Sequence, residues 1–432
     1  MPIWKRLFFW TVAATATVVL AELVLHTGYA ITHGEFFPLA IVEDEIAGVA
    51  GPDATAAVDA IADSAPAQKA RRAVDVVHPY LGFVHDPERS AYTSRLGFHV
   101  SRADPMKPRV ANTTGKERSL RVAFFGGSFA EGTVLSGRNV IATRLLDAGY
   151  SSEFFVYALG GYKQPQQLAA LSYLLSLGAD YDVVVNLDGF NELALPWAEN
   201  MTSGVNPYYP RGWRIKTAGL SDPGMVALYG EIAVLETRRR EWARRISRYP
   251  SLSIIRNLIW RARDASLQEQ IAAATQQVMK TKPAVTAGFT ARGPKLDSSD
   301  WKRLDARLVE HWGRSSRLMK ALCNASGIKY IHLLQPNQYY EPGRELTPLE
   351  QRTAFRKDHI YRSPVVRGYP LLRDEGQRLM RDGVDFHDLT LVYRNTPEPV
   401  YRDTCCHPNR YGYEIIAGEV AEAIVAALGG RE

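Results

Sequence analysis

Cysteine is nearly absent from this sequence, with three residues in 432, at Cys323, Cys405 and Cys406. So few exclude a disulfide-framed architecture, and the adjacency of Cys405 and Cys406 argues against an ordinary bridge between them; Cys323 is left to pair with one of them or stay reduced. Paired metal ligands are missing too. His332, His387 and His407 are scattered, no two at ligand spacing, so neither a metal nor another cofactor is expected. No internal repeat is visible. A net charge of +6 and a pI near 9.0 would elsewhere suggest nucleic acid. Behind an export segment they point instead to anionic lipid or polysaccharide, and no nucleic-acid partner is expected.

What is present is enough apolar material, 46% of residues with 10% aromatic, to bury a large core. Its first concentration is at the amino terminus. Lys5 and Arg6 precede an apolar run from Leu7 to Leu25, broken only by Thr11, Thr15, Thr17 and Glu22 and long enough to cross a bilayer. The basic flank keeps the amino terminus inside, so the body is expected outside the cytoplasm, on an inner-membrane anchor facing the periplasm. A cleaved signal peptide is the rival, but it would place its small-residue site directly after the apolar run; Ala14-Thr15-Ala16 lies in the middle. The expected organisation is an anchor over 1–30, a stalk or linker over 31–77, whose Ala- and Asp-rich part from Glu43 to Ala73 reads as a stalk or a loosely packed helix, and one domain over 78–432. His78-Pro79-Tyr80-Leu81-Gly82-Phe83 opens that domain.

Within the domain, short apolar runs alternate with helical periods. Val122–Phe125, Phe154–Leu159, Asp182–Leu187, Ile328–Leu334 and Val384–Leu389 read as strands, and Pro165–Leu177, Trp301–Leu322 and Tyr413–Leu428 as helices. This alternation predicts a parallel sheet covered by helices. It breaks between about 200 and 300, where Met225–Tyr249, crowded with Arg238, Arg239, Arg240, Arg244, Arg245 and Arg248, and Leu267–Met279 predict a helical insertion. That insertion is either a solvated decoration or a lid overhanging the site and attracting anionic partners.

Each strand end offers one kind of group. Ser128 follows the first strand after Gly126-Gly127, Gly160 and Gly161 follow the second, Asn191 follows the third, and the last loop reads Asp403-Thr404-Cys405-Cys406-His407-Pro408-Asn409. Acyl transfer needs these kinds together: a hydroxyl nucleophile, a base to take its proton, a carboxylate to orient the base, and fixed donors for the oxyanion. Asp403 and His407 stand four apart, on one side of a helical turn, so the carboxylate can hold one ring nitrogen while the other faces Ser128. An α/β-hydrolase would instead show Gly-x-Ser-x-Gly, and position 130 is Ala.

On Gly126-Gly127-Ser128, Gly160-Gly161, Gly189-Phe190-Asn191-Glu192 and Asp403–His407, the chain resembles the SGNH hydrolases, or GDSL-type esterases, over about 118–195 and 300–428. The resemblance implies a three-layer α/β/α sandwich with a flavodoxin-like parallel sheet. It implies Ser128 as nucleophile, His407 as base and Asp403 as its orienting acid. The oxyanion hole it implies is made by the Ser128 N–H, the Gly161 N–H and the Asn191 amide. Three departures stand out: Gly127 replaces the family's Asp before the serine; the acid lies four rather than three residues before the histidine, with Asp388 as the reserve carboxylate; and Gly160 competes with Gly161 in the second block. The function so implied is a membrane-tethered serine esterase removing acyl groups, acetyl foremost, from a glycan or lipid. An O-acyltransferase using the same acyl-enzyme and a non-catalytic glycan- or partner-binding module are the alternatives.

Overall fold

In a computed structural model, which describes residues 3–33, 36–50, 75–87, 93–101, 104–107, 118–217, 223–249, 253–280, 288–295 and 303–429, the strands form two sheets. The smaller is an antiparallel hairpin of β1 (Asp75–His78) and β2 (Gly82–His85). The larger holds β3 (Arg118–Gly126), β4 (Tyr150–Val156), β5 (Val183–Asp188), β6 (Lys329–Leu334) and β7 (Asp385–Asp388). Its order is β4-β3-β5-β6-β7, with every neighbouring pair parallel. That is the 2-1-3-4-5 order of the flavodoxin type, and its reversal between β3 and β5 opens a crevice at their carboxyl ends.

Strand period two builds the layers. Leu120, Val122 and Phe124 of β3 point into a core shared with Ile141 and Leu145 of the helix Ser128–Asp147 and with Ile416, Val420 and Ile424 of the closing helix Arg410–Ala427. Ala123 and Phe125 point the other way, among Leu171, Leu174, Trp312 and Leu372 from the helices Gln166–Ser176, Leu304–Ala325 and Arg362–Arg381. Helices therefore cover both faces of the sheet, in an α/β/α sandwich. Each of the large β3 side chains, exposed by 3% or less, contributes about 1.5–3 kcal/mol by burial. Every residue of β5 is buried, which is why it opens on the consecutive apolar residues Val183, Val184 and Val185; the buried Asn186 and Asp188 are hydrogen-bonded to one another at 2.7 Å.

The chain divides into two compact units, Met1–Asp59 with Ala227–Lys280, and Ala60–Val226 with Thr281–Glu432. The first unit contains the helix Ile3–His33, of which Trp4–Thr32 is long and apolar enough to cross a membrane, with a mean hydropathy of 1.9 and none of its apolar window buried. Glu22, the one carboxylate in that run, accepts the Ile254 N–H at 2.8 Å and bonds the Ser253 hydroxyl, so it caps the helix Ile254–Lys280. Val42 and Ile46 of the helix Leu39–Ala50 pack with Ala243, Ile246 and Trp260. Arg239 forks onto Asp264 at 2.6 and 2.9 Å, and Arg256 pairs with Glu43.

This division differs from the one expected from the sequence. Leu39–Ala50 is a helix of the first unit rather than linker, because its apolar stripe finds a partner in the insertion; Asp75–His78 is already a strand of the second. Residues 51–74, the rest of the expected linker, lie outside the described residues, as does Trp301. The insertion is shared between the units: 227–280 belong with the amino-terminal helices, and 200–217 and 288–295 with the sheet.

Candidate active site

The helix Ser128–Asp147 starts at the serine itself. As the first helical residue, Ser128 has an N–H without an intrahelical acceptor. Gly127 is required by a close approach, since a Cβ there would sit 2.1 Å from Asn191 Nδ2 and 3.2 Å from the Tyr162 carbonyl. An aspartate at that place would displace the asparagine.

Ser128 and His407, 279 residues apart in sequence, meet with Oγ 2.7 Å from Nε2. His407 Nδ1 lies 2.6 Å from Asp403 Oδ2. An ionised carboxylate only accepts, so Nδ1 carries the proton and Nε2 is left as an acceptor facing the serine hydroxyl. The other carboxylate oxygen, Oδ1, receives the backbone N–H groups of Cys405, Cys406 and His407 at 3.0, 3.1 and 3.2 Å. Burial by itself raises the Asp403 pKa, but the His407 ring and these bonds outweigh it and hold the carboxyl well below the usual range. Asp388 does not reach this site: it pairs with Arg373 at 2.6 Å and accepts the Thr390 N–H at 2.9 Å.

Asn191 sits in the first turn of the short helix Phe190–Leu195 and donates Nδ2 to the Tyr162 carbonyl at 2.7 Å. Gly161 adopts φ +83°, a left-handed conformation open to glycine, and its N–H makes no hydrogen bond among the described residues. Gly160, the competing residue, has no close neighbour except Glu131 Oε2, 3.9 Å from where its Cβ would be. Thus the Ser128 N–H, the Gly161 N–H and the Asn191 amide are all found at the carboxyl ends of β3, β4 and β5.

Among the solved structures similar to this chain are two from Bacteroides. One is a GDSL-like lipase from Bacteroides thetaiotaomicron, 12% identical with a TM-score of 0.33, covering 71% of this chain and 88% of its own. The other is a candidate acylhydrolase from Bacteroides fragilis, 13% identical with a TM-score of 0.31, covering 74% and 91%. No protein-family model and no curated protein matches the sequence. At such distances the residue roles rest on the geometry alone.

Beneath the site lies a buried polar layer that the sequence did not announce. Glu192 accepts the Gln164 and Gly189 N–H groups at 3.0 and 2.9 Å and the Gln167 side chain at 3.1 Å; burial first, and then Asp188, push its carboxyl up to about 8. Lys163, donating to the Pro207 carbonyl at 2.6 Å, is pushed down to about 7 by burial. A second serine–histidine–aspartate line runs through Ser316, His332 and Asp188 at 2.8 and 2.9 Å. Ser316 and His332 are fully buried and Asp188 is 2% exposed, so no substrate can reach it and it serves the packing of β5 against β6.

The sequence also missed Arg211, which lies in the part of the insertion that belongs with the sheet. Its aliphatic stem lies on Gly161, with Cδ 2.4 Å from where a Cβ would be, and its Nε donates to Glu199 at 2.8 Å. All three cysteines are unpaired. Cys405 and Cys406 have their sulfurs 2.9 Å apart, and burial pushes the Cys323 thiol up to about 12.

Proposed function

We propose that this chain is a serine ester hydrolase of the SGNH type that cleaves O-acyl esters. The observation that carries this reading is the unbroken line from Ser128 through His407 to Asp403, with distances of 2.7 and 2.6 Å, beside three donors that can serve an oxyanion. In this mechanism His407 Nε2 takes the Ser128 proton as Oγ bonds to the ester carbonyl carbon. The carbonyl electron pair moves to oxygen, where the Ser128 N–H, the Gly161 N–H and the Asn191 amide stabilise it. Collapse expels the alcohol, which takes the proton from His407 and leaves the acyl group on Ser128. Water, deprotonated by His407, then releases the acid and restores the serine.

The same proposal includes a membrane tether through the amino-terminal helix, a catalytic unit outside the cytoplasm, and an acetylated glycan as substrate. The basic flank Lys5-Arg6 supports the orientation, and the exposed Arg211 side chain over Gly161 supports a hydrophilic acyl carrier. A panel of short acyl esters, followed by acetylated glycans, with Ser128→Ala as control, tests this. Release of acetate by the wild type and not by the variant is the expected result; glycan acetate untouched while short esters are cleaved would remove the glycan from the proposal.

A further inference from the structure

Arg211 is held unlike an ordinary structural ion pair. Structural arginines commonly meet a carboxylate with both arms of the fork, whereas here Nε alone reaches Glu199 Oε2, and the four N–H bonds of the two terminal nitrogens find no acceptor among the described residues. Glu199 cannot turn away to leave it, because its other oxygen accepts the Tyr361 hydroxyl at 2.5 Å. The guanidinium is thus held through Nε, and the Arg211 side chain is 45% exposed. It stands on Gly161, whose N–H faces the reacting carbonyl in the proposed mechanism.

An aromatic wall continues from this point toward the catalytic loop. Tyr361 packs on His359 at 5.0 Å, His359 stacks on Tyr339 at 5.7 Å, and the Tyr339 hydroxyl donates to the Thr404 carbonyl at 2.7 Å, within the turn that carries Asp403 and His407.

We infer that Arg211 forms an anion subsite of the ester site, taking a carboxylate or phosphate carried by the acylated molecule beside the scissile bond. The inference rests on the hydrolase reading for its reaction but not for its binding. A planar pair of N–H donors matches two oxygens of such an anion, which a lone hydroxyl cannot satisfy. The Glu199 charge reduces the attraction without supplying those contacts, so selectivity comes from the fork and falls only partly with salt.

The test compares three acetyl esters, 4-acetoxybenzoate, 4-acetoxyphenyl phosphate and the neutral methyl 4-acetoxybenzoate, as kcat/KM ratios in the wild type, Arg211→Gln and Arg211→Lys. The wild type is expected to favour at least one anionic ester over the neutral one by tenfold or more, mainly through KM, and the preferred arm tells carboxylate from phosphate. Arg211→Gln should reduce that ratio at least tenfold, with Arg211→Lys between the two. No preference in the wild type, or a ratio unchanged in Arg211→Gln, overturns the subsite. Calorimetric binding of acetylated glucuronate, acetylated glucose 6-phosphate and acetylated glucose to Ser128→Ala separates the two readings. Preference for either anionic sugar, lost in Ser128→Ala/Arg211→Gln, sustains the subsite even if no ester is cleaved, and equal binding of all three sugars contradicts it.

Discussion

Replacing Asp403 by asparagine isolates what its charge does, because the structure separates the two jobs of its carboxylate. Oδ1 holds the Cys405–His407 turn through three backbone N–H groups, and Oδ2 holds the imidazole at 2.6 Å. An asparagine can keep its carbonyl on the three N–H groups, which turns its NH₂ toward His407 Nδ1. The ring must then accept at Nδ1 and carry its proton on Nε2, where it faces Ser128 as a donor and cannot act as base. Turnover should fall by about 10⁴, or about 5.4 kcal/mol of transition-state stabilisation. Stability should stay within about 1 kcal/mol, since the hydrogen bonds of the turn survive. Asp403→Ala, which removes both jobs, should lose a similar factor in rate and a further 1–3 kcal/mol, roughly, in stability. The assay is single-turnover acetyl transfer from p-nitrophenyl acetate, with thermal unfolding alongside. Near-normal turnover in Asp403→Asn together with an inactive Asp388→Asn would refute the assignment and restore Asp388.

Gly161→Ala should cost about 1–2 kcal/mol in thermal unfolding from its left-handed backbone alone, and should slow acyl transfer as well because Arg211 must move off the new methyl group. Because the Glu192 pKa is raised from 4.5 to about 8, the stability it contributes is fully present below its unfolded value and is lost as pH rises toward 8. Glu192→Gln should therefore flatten the decline of melting temperature between those values, and an unchanged slope would mean the carboxyl ionises normally. Residues 3–33 should hold the full-length protein in membranes through a carbonate wash. Recovery of a soluble form beginning beyond residue 25 would identify a cleaved signal peptide.

The sheet was legible because β3, β5 and β6 are buried on both faces and each carries adjacent large apolar residues, a pattern that survives without any knowledge of their partners. The hairpin of β1 and β2 and the helix Arg362–Arg381 were not foreseen. The hairpin is short, and the helix has only a narrow apolar stripe of Val365, Tyr369, Leu372 and Leu379 among charges and carries an internal Pro370. Ser128, Asn191 and His407 could be picked out because each follows a strand or precedes a helix with characteristic neighbours. Arg211 could not, since its place on Gly161 depends on a loop returning from the insertion. The insertion arginines drew attention by number, yet Arg239 is committed to Asp264 in the unit formed with the amino-terminal helices, while Arg211, outside that cluster, stands on Gly161. Sequence density of charge says little about which charge faces a substrate.

If Ser128 forms a covalent acyl-enzyme, a fluorophosphonate must react there. Treating the intact protein with the reagent and mapping the adduct by peptide mass spectrometry should give a single stoichiometric adduct on Ser128, strongly slowed in His407→Ala. An adduct on another residue, or none in a preparation that cleaves esters, would rule out Ser128 as the nucleophile.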